Sequence, residues 1–190
     1  TNLVALIVSD MDNSLRARTV DFLARGLATL GFRPLLLPTE PGEDVSYLID
    51  MMLNYNVTGT IVTSDTPPAE IAQECAAYGV PLVLINKPEV GSHVSNVSID
   101  TATAGRLAAE ELATIGCKRI GIVSQRRASH TIGQRKAAFI ATIRALGVEI
   151  AGDFQGTVQN YGGGAEAAEA FAESGIALDG IYCVNDFMAL

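Results

Sequence analysis

Five glycines constrain this chain more than any other feature. Gly31, Gly79, Gly116, Gly147 and Gly175 each close a stretch of helical periodicity shortly before a strand or its approach. A glycine there provides the left-handed residue that ends a helix at no steric cost. Five such stops in 190 residues describe a chain that alternates helix and strand. Strands are predicted at 3–9, 33–38, 59–64, 81–86, 94–99, 119–124, 154–158 and 180–184. Several are continuous Val/Ile/Leu runs rather than alternating ones, which suits parallel strands covered on both faces. Right-handed crossovers then give open parallel sheets with helices on both sides, a doubly wound α/β architecture.

Helical stripes fill the intervals. Val20, Leu23, Ala24, Leu27 and Leu30 share one face, as do Val45, Leu48, Ile49, Met52 and Leu53. Ala104, Leu107, Ala108, Leu112 and Ile115 make a third stripe, and Ile132, Phe139, Ile140 and Ile143 a fourth. All four read as core. With 48% hydrophobic and 18% charged residues, the chain has the means to fill such a core. The helix that ends at Ile115 and the new strand series after it predict a division into one unit at 1–116 and a second at 117–190.

Composition removes several function classes. The net charge of −8 opposes binding of a polyanion by these residues. No apolar run is long enough to cross a bilayer, and no secretory leader is visible at the start, so no membrane partner is expected. Cys75, Cys117 and Cys183 are widely separated, no CxxC pair exists, and His93 and His130 are the only histidines. Neither a zinc site nor a disulfide framework is expected, no cofactor is implied, and a reducing cytoplasm is the expected location.

In open parallel sheets ligands bind beyond the carboxyl ends of the strands. That rule selects residues 10–15, 64–66, 86–88, 99–101, 125–131, 159–163 and 185–186. Within them Asp10, Asn13, Asp100, Asn185 and Asp186, with Arg135 close by, are the candidate ligand-binding residues. Asp and Asn accept hydrogen bonds from vicinal hydroxyls and Arg donates them, the equipment of a polyol site. The competing reading for Asn13, Asp100 and Asp186 is that they cap the helices that follow. Gly162, Gly163 and Gly164 likewise have two readings, an anion cradle at a helix start or a plain turn into that helix. Asp10 and Asp12 resemble half of the DxDxT signature of haloacid-dehalogenase-type phosphatases, but Asn13 and Ser14 depart from it and no later acidic pair completes a magnesium site. No catalytic residue and no metal ligand is assigned.

Several segments, in order, resemble the effector-binding core of LacI/GalR-type transcriptional repressors. They are VALIVSDMDNSL at the start, NVTGTIVTS at 56–64, GVPLVLINKP at 79–88, VSIDTATAGRLAAEELATIGCKRIGIVS at 97–124, QRKAAF at 134–139 and VNDFMAL at 184–190. The resemblance covers the whole chain and implies a type I periplasmic-binding-protein-like fold of two parallel-sheet lobes. The lobes would close on a sugar-like or nucleoside-like effector, contacted by Asp10, Asn13, Arg135 and Asn185 with Asp100 near the cleft. It also implies a homodimer, for which Tyr47, Met51 and Tyr55 offer apolar edges, and operator DNA bound through a segment absent from this chain. Relative to the family the C-terminal part of the core is missing as well. Ser14, Leu15 and Arg16 stand where the family often has Pro and aromatics, Ala138 replaces the usual Gly and Asn86 the usual Asp, and Arg126 and Arg127 add positive charge. An anionic effector is therefore left open beside a neutral one. A periplasmic sugar-binding protein of a transporter is the alternative with the same fold, and the phosphatase a minor one.

Overall fold

The computed structural model describes residues 2–40, 43–64, 67–91 and 93–190. Asp65 and Thr66, in the strand-end segment at 64–66, lie outside them. The elements run β1 (Leu3–Val8), α1 (Ser14–Thr29), β2 (Arg33–Pro38), α2 (Val45–Asn54), β3 (Gly59–Val62), α3 (Pro68–Ala77), β4 (Leu82–Ile85), β5 (Val94–Val97), α4 (Thr101–Thr114), β6 (Arg119–Gln125), α5 (His130–Ala145), β7 (Glu149–Gly156), α6 (Tyr161–Ser174) and β8 (Gly180–Cys183). All five helix-closing glycines have positive φ, between 63° and 97°.

The chain divides into two compact units, Thr1–Ser98 and Ile99–Leu190. The first holds a five-stranded parallel sheet in the order β2-β1-β3-β4-β5. Alternation along β1 serves two cores. Ala5 and Ile7 join Leu48, Met52, Ile71 and Leu84 under α2 and α3, while Leu6 and Val8 meet Val20, Leu23 and Leu27 of α1 on the other face. Both faces of β1 are thus apolar, as its unbroken Leu/Val/Ile run requires.

The second unit has a three-stranded parallel sheet, β7-β6-β8. Its core contains Ile120, Ile122, Phe139, Ile143 and Tyr182. The Phe139 and Tyr182 rings stack at 3.8 Å between centroids with 7° between planes.

The unit division differs from the one read in the sequence at 116–117, because α4 packs with the second unit. Thr101 donates through Oγ1 to Gln134 Oε1 at 3.2 Å. A Cβ on Gly105 would lie 2.2 Å from the Arg135 carbonyl oxygen and 2.9 Å from the Phe139 nitrogen, so the backbones of α4 and α5 meet where only glycine fits. The buried face of α4 is accordingly Thr101, Gly105 and Ala109, whereas Leu107 and Ile115 of the expected stripe are 53% and 65% exposed. The seventh strand also begins earlier than 154. Glu149 already pairs with Arg119, with a register shift at Ile120/Gly121. Its end is set by Gly156, whose missing Cβ makes room for the Gly163 carbonyl.

Candidate functional site

At the carboxyl end of β1 the chain turns sharply. Asp10 has φ 52°, in the left-handed region that Asp and Asn tolerate better than other side chains. Asn13 N–H donates to the Asp10 carbonyl at 3.1 Å. Asn13 Oδ1 accepts from the N–H groups of Leu15 and Arg16, both at 3.1 Å, and so caps α1. Arg16 Nε lies 3.8 Å from Asp10 Oδ2, and Arg16 Nη1 donates to Ser9 Oγ at 3.1 Å. The end of β4 repeats the device, with Asn86 at φ 56°. The capping reading of Asn13 is therefore correct as far as its oxygen goes.

Asp100 caps α4 by accepting from Thr103 N–H at 2.9 Å. That hydrogen bond favours the ionised form and holds its pKa below the ordinary carboxylate value. Past the end of β8 the chain forms a turn and not a helix, and the side chain that closes it is Asn185, not Asp186. Met188 N–H donates to Asn185 Oδ1 at 2.8 Å, while Asp186 is exposed and its carbonyl accepts from Ala189 N–H at 3.0 Å.

Arg135, half-buried in the second turn of α5, donates through Nη1 to the Val184 carbonyl at 2.8 Å. The guanidinium is thus held at the end of β8, beside Asn185. Its Nε and the Asn185 Nδ2 are buried without a partner, as are Gln125 Oε1 and the Tyr182 hydroxyl. Burial raises the Tyr182 pKa, and the nearby Arg135 charge opposes the rise. Unpaired buried polar atoms are costly and rare in folded chains. Here they gather at one sheet edge and on the strand and helix that support it.

Next to Arg135, Lys136 reaches the other way. Its Nζ donates to Asp153 Oδ2 at 2.6 Å and to Ser124 Oγ at 2.9 Å, and Ser124 Oγ donates to Asp153 Oδ1 at 2.9 Å. Burial pushes the Asp153 carboxyl up, but the hydrogen bonds from Lys136, Gln155 and Ser124 outweigh it and leave the pKa lowered. This tie fixes α5, and hence Arg135, against β6 and β7. Sequence reasoning missed it because Asp153 fell just outside the expected strand.

The glycine run is a helix entry. Asn160 Oδ1 accepts from Gly162 and Gly163 N–H at 3.0 and 3.3 Å. A Cβ on Gly163 would lie 1.8 Å from the Val158 carbonyl oxygen and one on Gly164 2.6 Å from the Met188 carbonyl oxygen. Close packing accounts for these glycines. Among the described residues no group of three or more His, Cys, Asp or Glu side chains could hold a metal ion, and no helix is long and apolar enough to cross a membrane.

Two parallel sheets with helices between their strands and polar residues at the strand ends define a doubly wound α/β protein. Residues 1–190 match the family described as periplasmic binding proteins and sugar binding domain of LacI family, and the chain belongs to that family. Among curated relatives it is 25% identical over 197 residues to the HTH-type transcriptional regulator MalR of Streptomyces coelicolor, covering 99% of this chain and 57% of that protein. It is 28% identical over 204 residues to an HTH-type transcriptional regulator in the aml 5′ region of Streptomyces limosus, covering 99% and 56%. The chain thus spans just over half the length of these relatives. Among solved structures it resembles the Cra transcriptional dual regulator of Pseudomonas putida in complex with fructose 1-phosphate, with a TM-score of 0.85, 19% identity, and coverage of 100% of this chain and 71% of that one. It also resembles a LacI family transcriptional regulator of Enterococcus faecium with bound ribose, with a TM-score of 0.84, 17% identity, and coverage of 98% and 68%. At these identities the two structures speak for the fold.

Proposed function

We propose that this chain is the effector-sensing part of a LacI-type transcriptional regulator, without catalytic activity, working in the cytoplasm as a homodimer and acting on operator DNA. Its effector is a small hydroxyl-rich molecule, and Asp10, Asn13, Asp100, Arg135, Asn185 and Asp186 are its proposed contacts. The observation that carries this reading is the pair of buried, unpartnered donors Arg135 Nε and Asn185 Nδ2 at a strand end. A ligand that draws contacts from both units favours one of two arrangements, and that differential affinity couples effector binding to DNA affinity. The names of the curated relatives favour a regulator over a transporter's binding protein. For self-association, Tyr47 and Tyr55 are 55% and 48% exposed, whereas Met51 packs on the core. Leu15, Phe22 and Leu30 add exposed apolar surface along and just beyond α1.

The test is calorimetry with a panel of sugars, sugar acids and sugar phosphates on wild type and Arg135→Ala. Losing charge-assisted hydrogen bonds should weaken binding of the tightest panel member by about 2 kcal/mol, roughly thirtyfold. Unchanged affinity in a variant with a wild-type circular dichroism spectrum overturns the site.

A further inference from the structure

The four buried polar side-chain atoms without a partner among the described residues all belong to the second unit. Two of them flank the last rung shared by β6 and β8: Gln125 ends β6, and Asn185 lies in the bend just past the end of β8. β6 and β8 pair in parallel with Val123 opposite Cys183, and the ladder continues as Val184 N–H donates to the Val123 carbonyl at 3.0 Å. Two residues outward from that pair come Gln125 and Asn185. The strands are about 4.8 Å apart at that rung, and each residue lies two positions beyond it, which brings both within the span of one small ligand.

The orientation of each amide follows from its other bond. Gln125 Nε2 donates to the Arg127 carbonyl, which leaves Oε1 as an acceptor. Asn185 Oδ1 accepts from Met188 N–H, which leaves Nδ2 as a donor. Arg135, anchored through Nη1 on the Val184 carbonyl, leaves Nε as a second donor. The edge therefore offers one acceptor and two donors.

We propose that Gln125 is a specificity-determining residue of the effector site and requires a hydrogen-bond donor from the ligand at this edge, so that a neutral polyol is selected there over a sugar acid or sugar phosphate. The proposal rests on the effector-binding reading above and adds to it a residue and a ligand class. A sugar hydroxyl meets both demands, donating to Gln125 Oε1 while accepting from Asn185 Nδ2 or Arg135 Nε. A carboxylate or a phosphate dianion has no hydrogen to give. Placed here it would satisfy the donors and leave the Gln125 oxygen buried and unpaired. Sites built to hydrogen-bond a hydroxyl discriminate strongly against groups that leave their own polar atoms unpaired.

The experiment is titration calorimetry of the protein with neutral pentoses, hexoses and disaccharides and with their phosphate and acid counterparts, on wild type, Gln125→Leu, Gln125→Glu and Arg135→Ala. Wild type should bind a neutral sugar about tenfold or more tightly than its anionic counterpart. Gln125→Leu should lose about tenfold on that sugar and erase the preference. Gln125→Glu keeps an acceptor but loses the tie to Arg127, and should stay within about threefold of wild type. An anionic preference in wild type overturns the proposal. So does unchanged sugar affinity in Gln125→Leu where Arg135→Ala abolishes binding, and that result leaves the effector reading standing. A Gln125→Glu as weak as Gln125→Leu assigns the loss to the Arg127 tie and also overturns it. No binding by any panel member overturns the effector reading and this proposal together.

Discussion

At the carboxyl edge of the first sheet, Asn13 places its oxygen on two backbone N–H groups and Asp10 lies near Arg16. At the same edge of the second sheet, Gln125 Oε1 and Asn185 Nδ2 are buried without partners, as are Arg135 Nε and the Tyr182 hydroxyl of the same unit. Both edges carry Asx residues and an arginine, yet among the described residues only the second holds buried side-chain atoms without a partner. The first edge uses its polar atoms to fix its own backbone, which includes Asp10 at a left-handed φ. An edge that is already satisfied recognises a ligand through exposed charge and shape. An unsatisfied one gains the full value of a desolvated hydrogen bond when a ligand arrives. On the effector reading proposed above, the difference gives the second unit the role of orienting the ligand.

The sharpest way to break this comparison is at Asn13. If its oxygen serves the fold, Asn13→Ala removes an N-cap and costs about 1 kcal/mol of stability, read as a lower urea midpoint at unchanged slope. Unchanged stability with a large loss of sugar binding would show that the first edge also reserves its capacity for the ligand.

The sequence reached the strand–helix alternation and the parallel sheets through the glycines and the apolar runs, because helix stops and parallel strands leave local signatures; the strand order it left open. It selected Asn13, Asp100 and Asn185 by their place at strand ends, where each side chain accepts a backbone N–H. It did not reach the unit boundary, since α4 joins the second unit through a close approach at Gly105 that involves residues some thirty positions on. Gln125 falls inside the strand-end segment 125–131 but is not singled out there. A glutamine at the end of a strand looks like any solvated polar residue until the fold shows its Oε1 buried without a partner. That Asn185 and not Asp186 closes the turn after β8 is a matter of one residue, below what spacing can resolve.

The second unit is not unsatisfied throughout, and pH separates its two polar groups. Asp153 is paired with Lys136 and accepts from Ser124 and Gln155, so its pKa is depressed in the folded chain. A depressed carboxyl contributes stability that is present above its unfolded value, near pH 4, and is lost as pH falls through the lower folded value. The Asp153 side chain is 36% exposed, and solvent screening keeps the contribution to about 1 kcal/mol or less. Wild type should exceed Asp153→Asn by that amount at pH 7, and the gap should narrow as pH falls below about 4. A gap that is constant from pH 7 to pH 3 would mean that Asp153 acts through packing alone and that the contrast between paired and unpaired groups is not electrostatic.

The smallest effect, and the one of opposite sign, belongs to Tyr182. Its ring is 8% exposed and stacked on Phe139, while its hydroxyl is buried without a partner. Removing a polar group that has no bond, while keeping the ring that fills the core, is neutral or stabilising. Tyr182→Phe should therefore gain between zero and about 1 kcal/mol in the ligand-free protein. The same substitution distinguishes two roles for the hydroxyl at the site. If it faces the effector, Tyr182→Phe weakens sugar binding while the ligand-free midpoint holds or rises. If it only backs Arg135, affinity stays at wild-type level and stability alone changes. A fall in stability of more than 1 kcal/mol would show that the hydroxyl is already bonded in the free protein, and would remove Tyr182 from the set of unsatisfied atoms on which the contrast between the two edges stands.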